Sequence, residues 1–237
     1  MKRLLTICPS RIRPDRLSQM MRSWDETQSG NCDIVVYVDE NDPKVNEYKN
    51  IKLKSNQNIL YGERKHLVSV LNYCCSIYPD YEYYNEINDD HIYRTNDWDE
   101  KLINLIKTKG NGWGISFGKS LIFPDNNPDP LPSGIVISGN IIKALGYIVT
   151  PLLQHTYTDD YYRALGKGID KYFKDNDVII EHCHVIRGKA EMDDNYKWVM
   201  STEQMDYGLN KYKEWYNLYR ENDIEKVKKA YENRLSN

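Results

Sequence analysis

The segment Asp33-Ile-Val-Val-Tyr-Val-Asp39 is β-branched and almost unbroken in apolar character. A strand with one face in water alternates polar and apolar residues, whereas a continuous run belongs to a strand covered on both faces, as in a parallel sheet between helices. The flanking sequence supplies such helices. Arg3 to Cys8 is a shorter β-type run stopped by Pro9, and Pro14 stands where the first turn of a helix accepts proline. Leu17, Met20, Met21 and Trp24 then recur at i, i+3, i+4 and i+7, a one-sided helix. Polar Glu40-Asn-Asp-Pro43 breaks the second run, Ile51 to Lys54 is a weaker strand candidate, and Leu67, Val70, Leu71 and Cys74 carry helical spacing after Gly62. The order β-α-β-(β)-α predicts an open α/β sheet.

Downstream the pattern continues less cleanly. Tyr83 to Asn88 is predicted as a strand although Tyr-Tyr-Asn-Glu-Ile-Asn is polar for a central position. Trp98, Leu102, Leu105 and Ile106 predict a third helix ended near Gly110. Trp113 to Phe117 and Ser120 to Phe123 read as two short strands around a turn at Gly118. Pro124 to Pro132 holds four prolines in nine residues, which predicts a loop over a site. Ile141, Ile142 and Leu145 mark a short helix before Gly146; Tyr162, Leu165 and Ile169 mark another after Asp159-Asp160; Asp177 to Val185 returns to a strand. In the tail, Tyr212, Trp215, Tyr216 and Tyr219 have helical spacing among Lys211, Lys213 and Arg220, and Asp223 is placed to cap a last helix carrying Ile224, Val227 and Tyr231.

Charge narrows the function. With 35 acidic against 32 basic residues the net charge is −3, which excludes a wholesale electrostatic nucleic-acid binder but leaves room for a local basic face. No apolar run approaches the roughly 20 residues that span a bilayer, so no membrane partner is expected. The basic start MKRLLTICPSRIRP has too short an apolar stretch for a signal peptide. Five cysteines without a Cys-x-x-Cys pair predict a reducing, cytoplasmic compartment and no disulfide framework.

Five short constellations can carry chemistry. Asn88-Asp89-Asp90-His91 follows a predicted strand, where open α/β sheets bind ligands. Crowded carboxylates and an imidazole suit a divalent cation, Mg²⁺ or, with the histidine, Mn²⁺; the plain alternative is a polar turn that caps the next helix. In Glu181-His182-Cys183-His184 a strand would turn His182 and His184 to one face, with Lys189 beyond, against the default of hydrogen-bonded core histidines. Thr158-Asp159-Asp160 opens a helix, as caps or as a general base. The loop Pro9-Ser-Arg-Ile-Arg13 puts two arginines before a helix and suits an anionic phosphate, but has no glycine and so is neither a P-loop nor a dinucleotide fingerprint. Gly62-Glu-Arg-Lys65 is a second basic start to a helix.

In this order, the stretches LLTICPSRIRPDRL, DIVVYVDENDP, NDDHIYRTNDWDEKL, ISGNIIKALGYIVTP and DVIIEHCHVIRGKA resemble the GT-A-type glycosyltransferases, in particular small glycosyltransferase-like proteins of bacteriophages and bacteria. The resemblance implies a GT-A-like open, mostly parallel sheet flanked by helices: a catalytic domain over residues 1–200 and a helical C-terminal extension over 201–237. It also implies a nucleotide-sugar donor, a UDP-sugar foremost, with Pro9, Ser10, Arg11 and Arg13 wrapping the nucleotide, Asp39 on the base and Arg64 nearby. The Asp-x-Asp element departs from pattern, either as Asn88-x-Asp90 or as Asp89-x-His91. Asp90 and His91 are assigned to Mn²⁺ or Mg²⁺, and Asp89 to ribose or metal. A late histidine completes the metal shell, with His184 ahead of His182, and Lys189 faces the leaving diphosphate.

For an inverting enzyme the resemblance points to Asp159, with Asp160 behind it, as the base that takes the acceptor's proton; a retaining enzyme needs no base there. Polar Asn85 and Glu86 are expected to line the sugar pocket. Phage likeness makes a modified DNA base one acceptor and the host cytoplasm the setting, and the C-terminal aromatic-basic stripe suits nucleic acid or simply packs on its own domain. Donor sugar, base, stereochemistry and oligomeric state stay open. A catalytically inert nucleotide-sugar-binding module and a metal-dependent nucleotidyl- or phosphotransferase are the competing readings.

Overall fold

The computed structural model describes residues 2–122 and 131–236. Its first half alternates strand and helix: β1 (Lys2–Ser10), α1 (Pro14–Thr27), β2 (Cys32–Asp39), a short α2 (Val45–Lys49), β3 (Gln57–Gly62), α3 (Leu67–Ile77) and β4 (Tyr81–Glu86). There follow β5 (His91–Tyr93), α4 (Trp98–Gly110), β6 (Ile115–Lys119), β7 (Val136–Ser138), α5 (Gly139–Leu145), α6 (Thr158–Gly168) and β8 (Tyr172–His182). A 3₁₀ turn at Val185–Arg187 leads into α7 (Asp194–Val199), α8 (Thr202–Leu218) and α9 (Arg220–Leu235).

The eight strands form one sheet in the order β3-β2-β1-β4-β7-β6-β8-β5. β3, β2, β1 and β4 are parallel; β7 runs against both neighbours, β6 and β8 are parallel, and β5 closes the far edge antiparallel to β8. This is an open, mostly parallel sheet flanked by helices, with helices at the C-terminal end. The two faces of β1 and β2 account for their apolar runs. Leu5, Ile7, Val35 and Tyr37 enter the core shared with α3, α5 and α6. Leu4, Cys8, Ile34, Val36 and Val38 enter the core shared with α1 and α4. Each large apolar side chain so buried contributes roughly 1.5–3 kcal/mol.

Where sequence and structure part, the reasons are local. The third strand is Gln57–Gly62 rather than Ile51 to Lys54, and it pairs with β2 alone as an edge, so Ile59 is its one buried residue. Gly118 makes no turn: β6 runs through it, and a Cβ there would sit 2.5 Å from the Val178 carbonyl oxygen of β8. Residues 120–122 are not a strand, while Phe123 and 124–130 of the proline-rich loop lie outside the described residues. β4 stops at Glu86, freeing Ile87 to Asp90 for a turn, and β8 stops at His182, so His184 is not on the strand. Asp223 is not a cap. It lies inside α9, buried, and accepts hydrogen bonds from the Trp215 indole (2.8 Å) and the Tyr147 hydroxyl (2.7 Å). The tail is anchored there, because Trp215, Ile224 and Val227 join the same core as α3 and α6.

Candidate functional site

β1 and β4 are parallel neighbours, so the loop after β1 and the turn after β4 emerge together at the carboxyl edge of the sheet, where open α/β sheets place ligands. The first loop is held tightly. Ile12 has φ 56°, a left-handed conformation that is strained for a β-branched residue, and Asp42 accepts its backbone N–H at 2.8 Å. Such strain, of order 1–3 kcal/mol, persists only where surrounding contacts fix it, and it collects at functional sites. The Tyr48 hydroxyl accepts the Arg13 N–H (2.8 Å) and shares a hydrogen bond with Ser10 (2.8 Å).

Ser10 Oγ in turn donates to Asp89 Oδ2 at 2.7 Å, while Arg13 Nη1 reaches Asp89 Oδ1 at 3.2 Å and Asp90 Oδ2 at 3.8 Å. Burial raises the Asp89 carboxyl to about 6 against the pull of Arg13. Burial also disfavours the charge on Asp90, but His182 and His91 outweigh it and hold that carboxyl well below the usual range.

The two histidines meet by strand register. β5 and β8 are antiparallel with His91 opposite His182, and their rings stack at 4.1 Å between centroids. His91 Nδ1 lies 3.1 Å from Asp90 Oδ1, and His182 Nε2 lies 3.3 Å from Asp90 Oδ2. Burial, with the neighbouring His182 adding to it, lowers the His91 imidazole to about 4, leaving it neutral at neutral pH. Asp90, His91 and His182 thus offer three ligand atoms within 4.8 Å of one another. His184 stands apart: its Nδ1 accepts from Ile186 N at 3.2 Å, and its ring meets that of His182 edge-on at 5.0 Å.

These groups open on a cleft of about 500 Å³. Of the residues singled out in the sequence, Pro9, Ser10, Arg11, Arg13, Asp39, Arg64, Asp89, Asp90, His182 and His184 line it. Asp39, buried at the end of β2, takes Arg11 Nη1 at 2.6 Å and the Lys65 N–H at 3.2 Å. His91 lies behind the wall, with Nε2 2.6 Å from Ser133 Oγ. Lys189 is not at the wall; it pairs with Glu181, which also takes Arg94 at 2.7 Å. Asp159 opens α6, within the field of His182 and Glu86, and burial raises its carboxyl to about 7. Asp160 points to Arg163 at 2.6 Å. Asn85 is fully buried and braces strands: it donates to the Ile135 carbonyl (2.8 Å) and accepts from the Tyr93 hydroxyl (2.6 Å), so it does not line a pocket. Glu86 is buried as well, and burial pushes it to about 8.

Other solved structures share this architecture. The mannosyltransferase PcManGT from Pyrobaculum calidifontis, in complex with GDP-Man and Mn²⁺, superposes with a TM-score of 0.61 at 11% identity, over 96% of this chain and 73% of that one. S. aureus TarS follows with a TM-score of 0.58 at 10% identity, over 86% of this chain and 43% of that one. TarS 1–349 in complex with UDP-GlcNAc gives 0.52 at 10% identity, over 88% and 73%. The chain has a glycosyltransferase-like fold. No protein-family model and no curated protein matches the sequence. Among the described residues no helix is long and apolar enough to cross a membrane.

Sequence reasoning missed the wall that faces Arg13. The α7 segment brings Asp194, Tyr196 and Trp198 to the cleft, with His66 and His155 around Trp198 at ring distances of 5.7 and 5.6 Å, and its N-cap Asp193 pairs with Arg13. Its one buried residue, Tyr196, leaves no periodic signal.

Proposed function

We propose that this chain is a metal-dependent glycosyltransferase that moves a sugar from a nucleotide-sugar donor to an acceptor hydroxyl. One observation carries the reading: a carboxylate-imidazole cluster and an arginine-bearing loop converge on one cleft at the carboxyl edge of a glycosyltransferase-like sheet. The likeness to PcManGT, whose complex holds GDP-Man and Mn²⁺, supports it.

The donor set fits a divalent cation. Asp90 Oδ1 and His91 Nδ1 are buried 3.1 Å apart and make no well-aligned hydrogen bond with each other or with another described group, which leaves both lone pairs open to a cation. One carboxylate with two imidazoles suits Mn²⁺ better than Mg²⁺. Asp90, His91 and His182 would hold such an ion, whose charge would offset that of a leaving diphosphate. Arg11 and Arg13 bind phosphate oxygens by charge-assisted hydrogen bonds. Asp89, oriented by Ser10, accepts from the ribose, and Asp39 accepts from the base, with Arg64 alongside. Asp159 takes the acceptor's proton in an inverting displacement, and a carboxyl held near 7 is well matched to that role. Asp160 keeps company with Arg163 behind it. Lys189 would leave Glu181 to meet the diphosphate, and His184 borders the cation site.

A DNA acceptor draws little support from the C-terminal stripe, since Trp215 is buried and only Tyr216 and Tyr219 face solvent. Product analysis tests the proposal: UDP- and GDP-sugars are incubated with Mn²⁺ and a panel of saccharides and modified and unmodified DNA. Free nucleoside diphosphate is expected. Pyrophosphate or nucleoside monophosphate would point to a nucleotidyl- or phosphotransferase, and donor binding without turnover to an inert module.

A further inference from the structure

The segment from Cys183 to Met200 has little apolar hold on the body. Only Tyr196 is buried, while Ile186 and Met192 are 68% and 48% exposed. Gly188, at φ 66° and with open space where a Cβ would stand, gives it a turn that no other residue type makes cheaply. Besides the Lys189–Glu181 pair, the Arg187 bond to the Ile122 carbonyl and the packing of Trp198 on His66 and His155, two contacts fasten the segment to the site. The Asp193 carboxylate takes Arg13 in a two-pronged pair, Nε to Oδ2 at 2.6 Å and Nη2 to Oδ1 at 2.8 Å. The Tyr196 hydroxyl donates to Asp90 Oδ2 at 2.5 Å, its ring lies 4.2 Å below the Arg13 guanidinium, and His184 meets its edge at 5.0 Å.

Two-pronged carboxylate pairing uses the same guanidinium geometry as phosphate. From this geometry we infer that Asp193 and Tyr196 are an internal competitor: they engage Arg13 and Asp90, the groups a diphosphate and its cation need, and a diphosphate with its cation displaces them. Resting on the donor reading above, donor binding then releases residues 190–200, while His184 and Lys189 stay with the site. An ordinary lid would do the opposite and close on its ligand. Because the competitor is covalently attached, its effective concentration is high, and apparent affinity for the external anion falls accordingly. Removing the carboxylate therefore tightens the external ligand instead of weakening it.

Limited trypsin digestion of the full chain is the test, scoring cleavage after Lys197, which is exposed. Inorganic pyrophosphate with Mg²⁺ is expected to speed this cleavage severalfold in the wild type. Asp193→Asn is expected to cut at the faster rate without ligand and, by calorimetry, to bind pyrophosphate about tenfold more tightly, the arithmetic of removing a competitor bound roughly nine-tenths of the time. Tyr196→Phe retains the ring and is expected to bind Mn²⁺ more tightly. Protection by pyrophosphate, or weaker binding in Asp193→Asn, overturns the inference. UDP and GDP run in the same calorimeter keep the two readings apart: release by pyrophosphate with no nucleotide binding leaves the competitor standing and removes the donor assignment.

Discussion

Buried carboxyls dominate the site at the scale of single residues. Glu86 and Asp159 lie within each other's field, and burial raises them from 4.5 and 3.8 to about 8 and about 7. An acid whose folded value exceeds its unfolded one stabilises the fold while protonated. That contribution is complete below about pH 4 and is lost as pH rises through the folded value. Glu86→Gln, neutral at every pH, is therefore expected to melt close to wild type at pH 4 and progressively higher than it up to about pH 8, by about 2–4 °C for each kcal/mol relieved. Parallel melting curves would contradict a protonated Glu86. If Asp159 is the base, Asp159→Asn is expected to lower kcat by about 10²–10⁴ with little change in KM, and wild-type kcat should climb through pH 7; an unchanged kcat removes Asp159 from the chemistry. Residue types near the cleft were readable from sequence because carboxylates, arginines and histidines follow recognisable strands. Their division of labour was not. Asn85 and Glu86 look alike as polar intruders, yet one braces the sheet and the other is a carboxyl whose burial raises it to about 8.

Elements decide which of those residues meet. The pairing of β5 with β8 sets His91 against His182 across about ninety residues of chain, and no local pattern encodes that register. β8 ends at His182, two residues short of His184, so the clustered ligand atoms include His182 and not His184. The alternation of β1 to α3 was legible since runs buried on both faces leave a strong pattern. The edge strand β3, three-residue β7 and polar α7 bury too little to leave one. Gly118 gives the element scale its test. A methyl there meets the Val178 backbone, so Gly118→Ala is expected to cost about 1–3 kcal/mol and, by shifting β8, to weaken Mn²⁺ binding at His182. Lost stability with unchanged Mn²⁺ affinity would uncouple strand pairing from the site.

For the whole molecule, the sheet joins a half built on β1 and β2 to a C-terminal half that supplies His182 and the α7 wall. The helical tail, read from sequence as a C-terminal extension over 201–237, packs on this body: Trp215 and Val227 share a core with Tyr161 and Leu165. Trp215→Ala is expected to cost about 3–5 kcal/mol and to lower the single unfolding transition of the entire chain in urea. A separate early transition of the tail would make it an independent unit instead. If one cleft binds a nucleoside diphosphate together with a divalent cation, calorimetric titration of UDP and GDP, each with and without Mn²⁺, into the wild type and Asp90→Asn shows it directly. One nucleotide is expected to bind, Mn²⁺ to strengthen it at least tenfold, and Asp90→Asn to lose this gain. Nucleotide binding indifferent to both Mn²⁺ and Asp90, or none at all, would rule the shared site out.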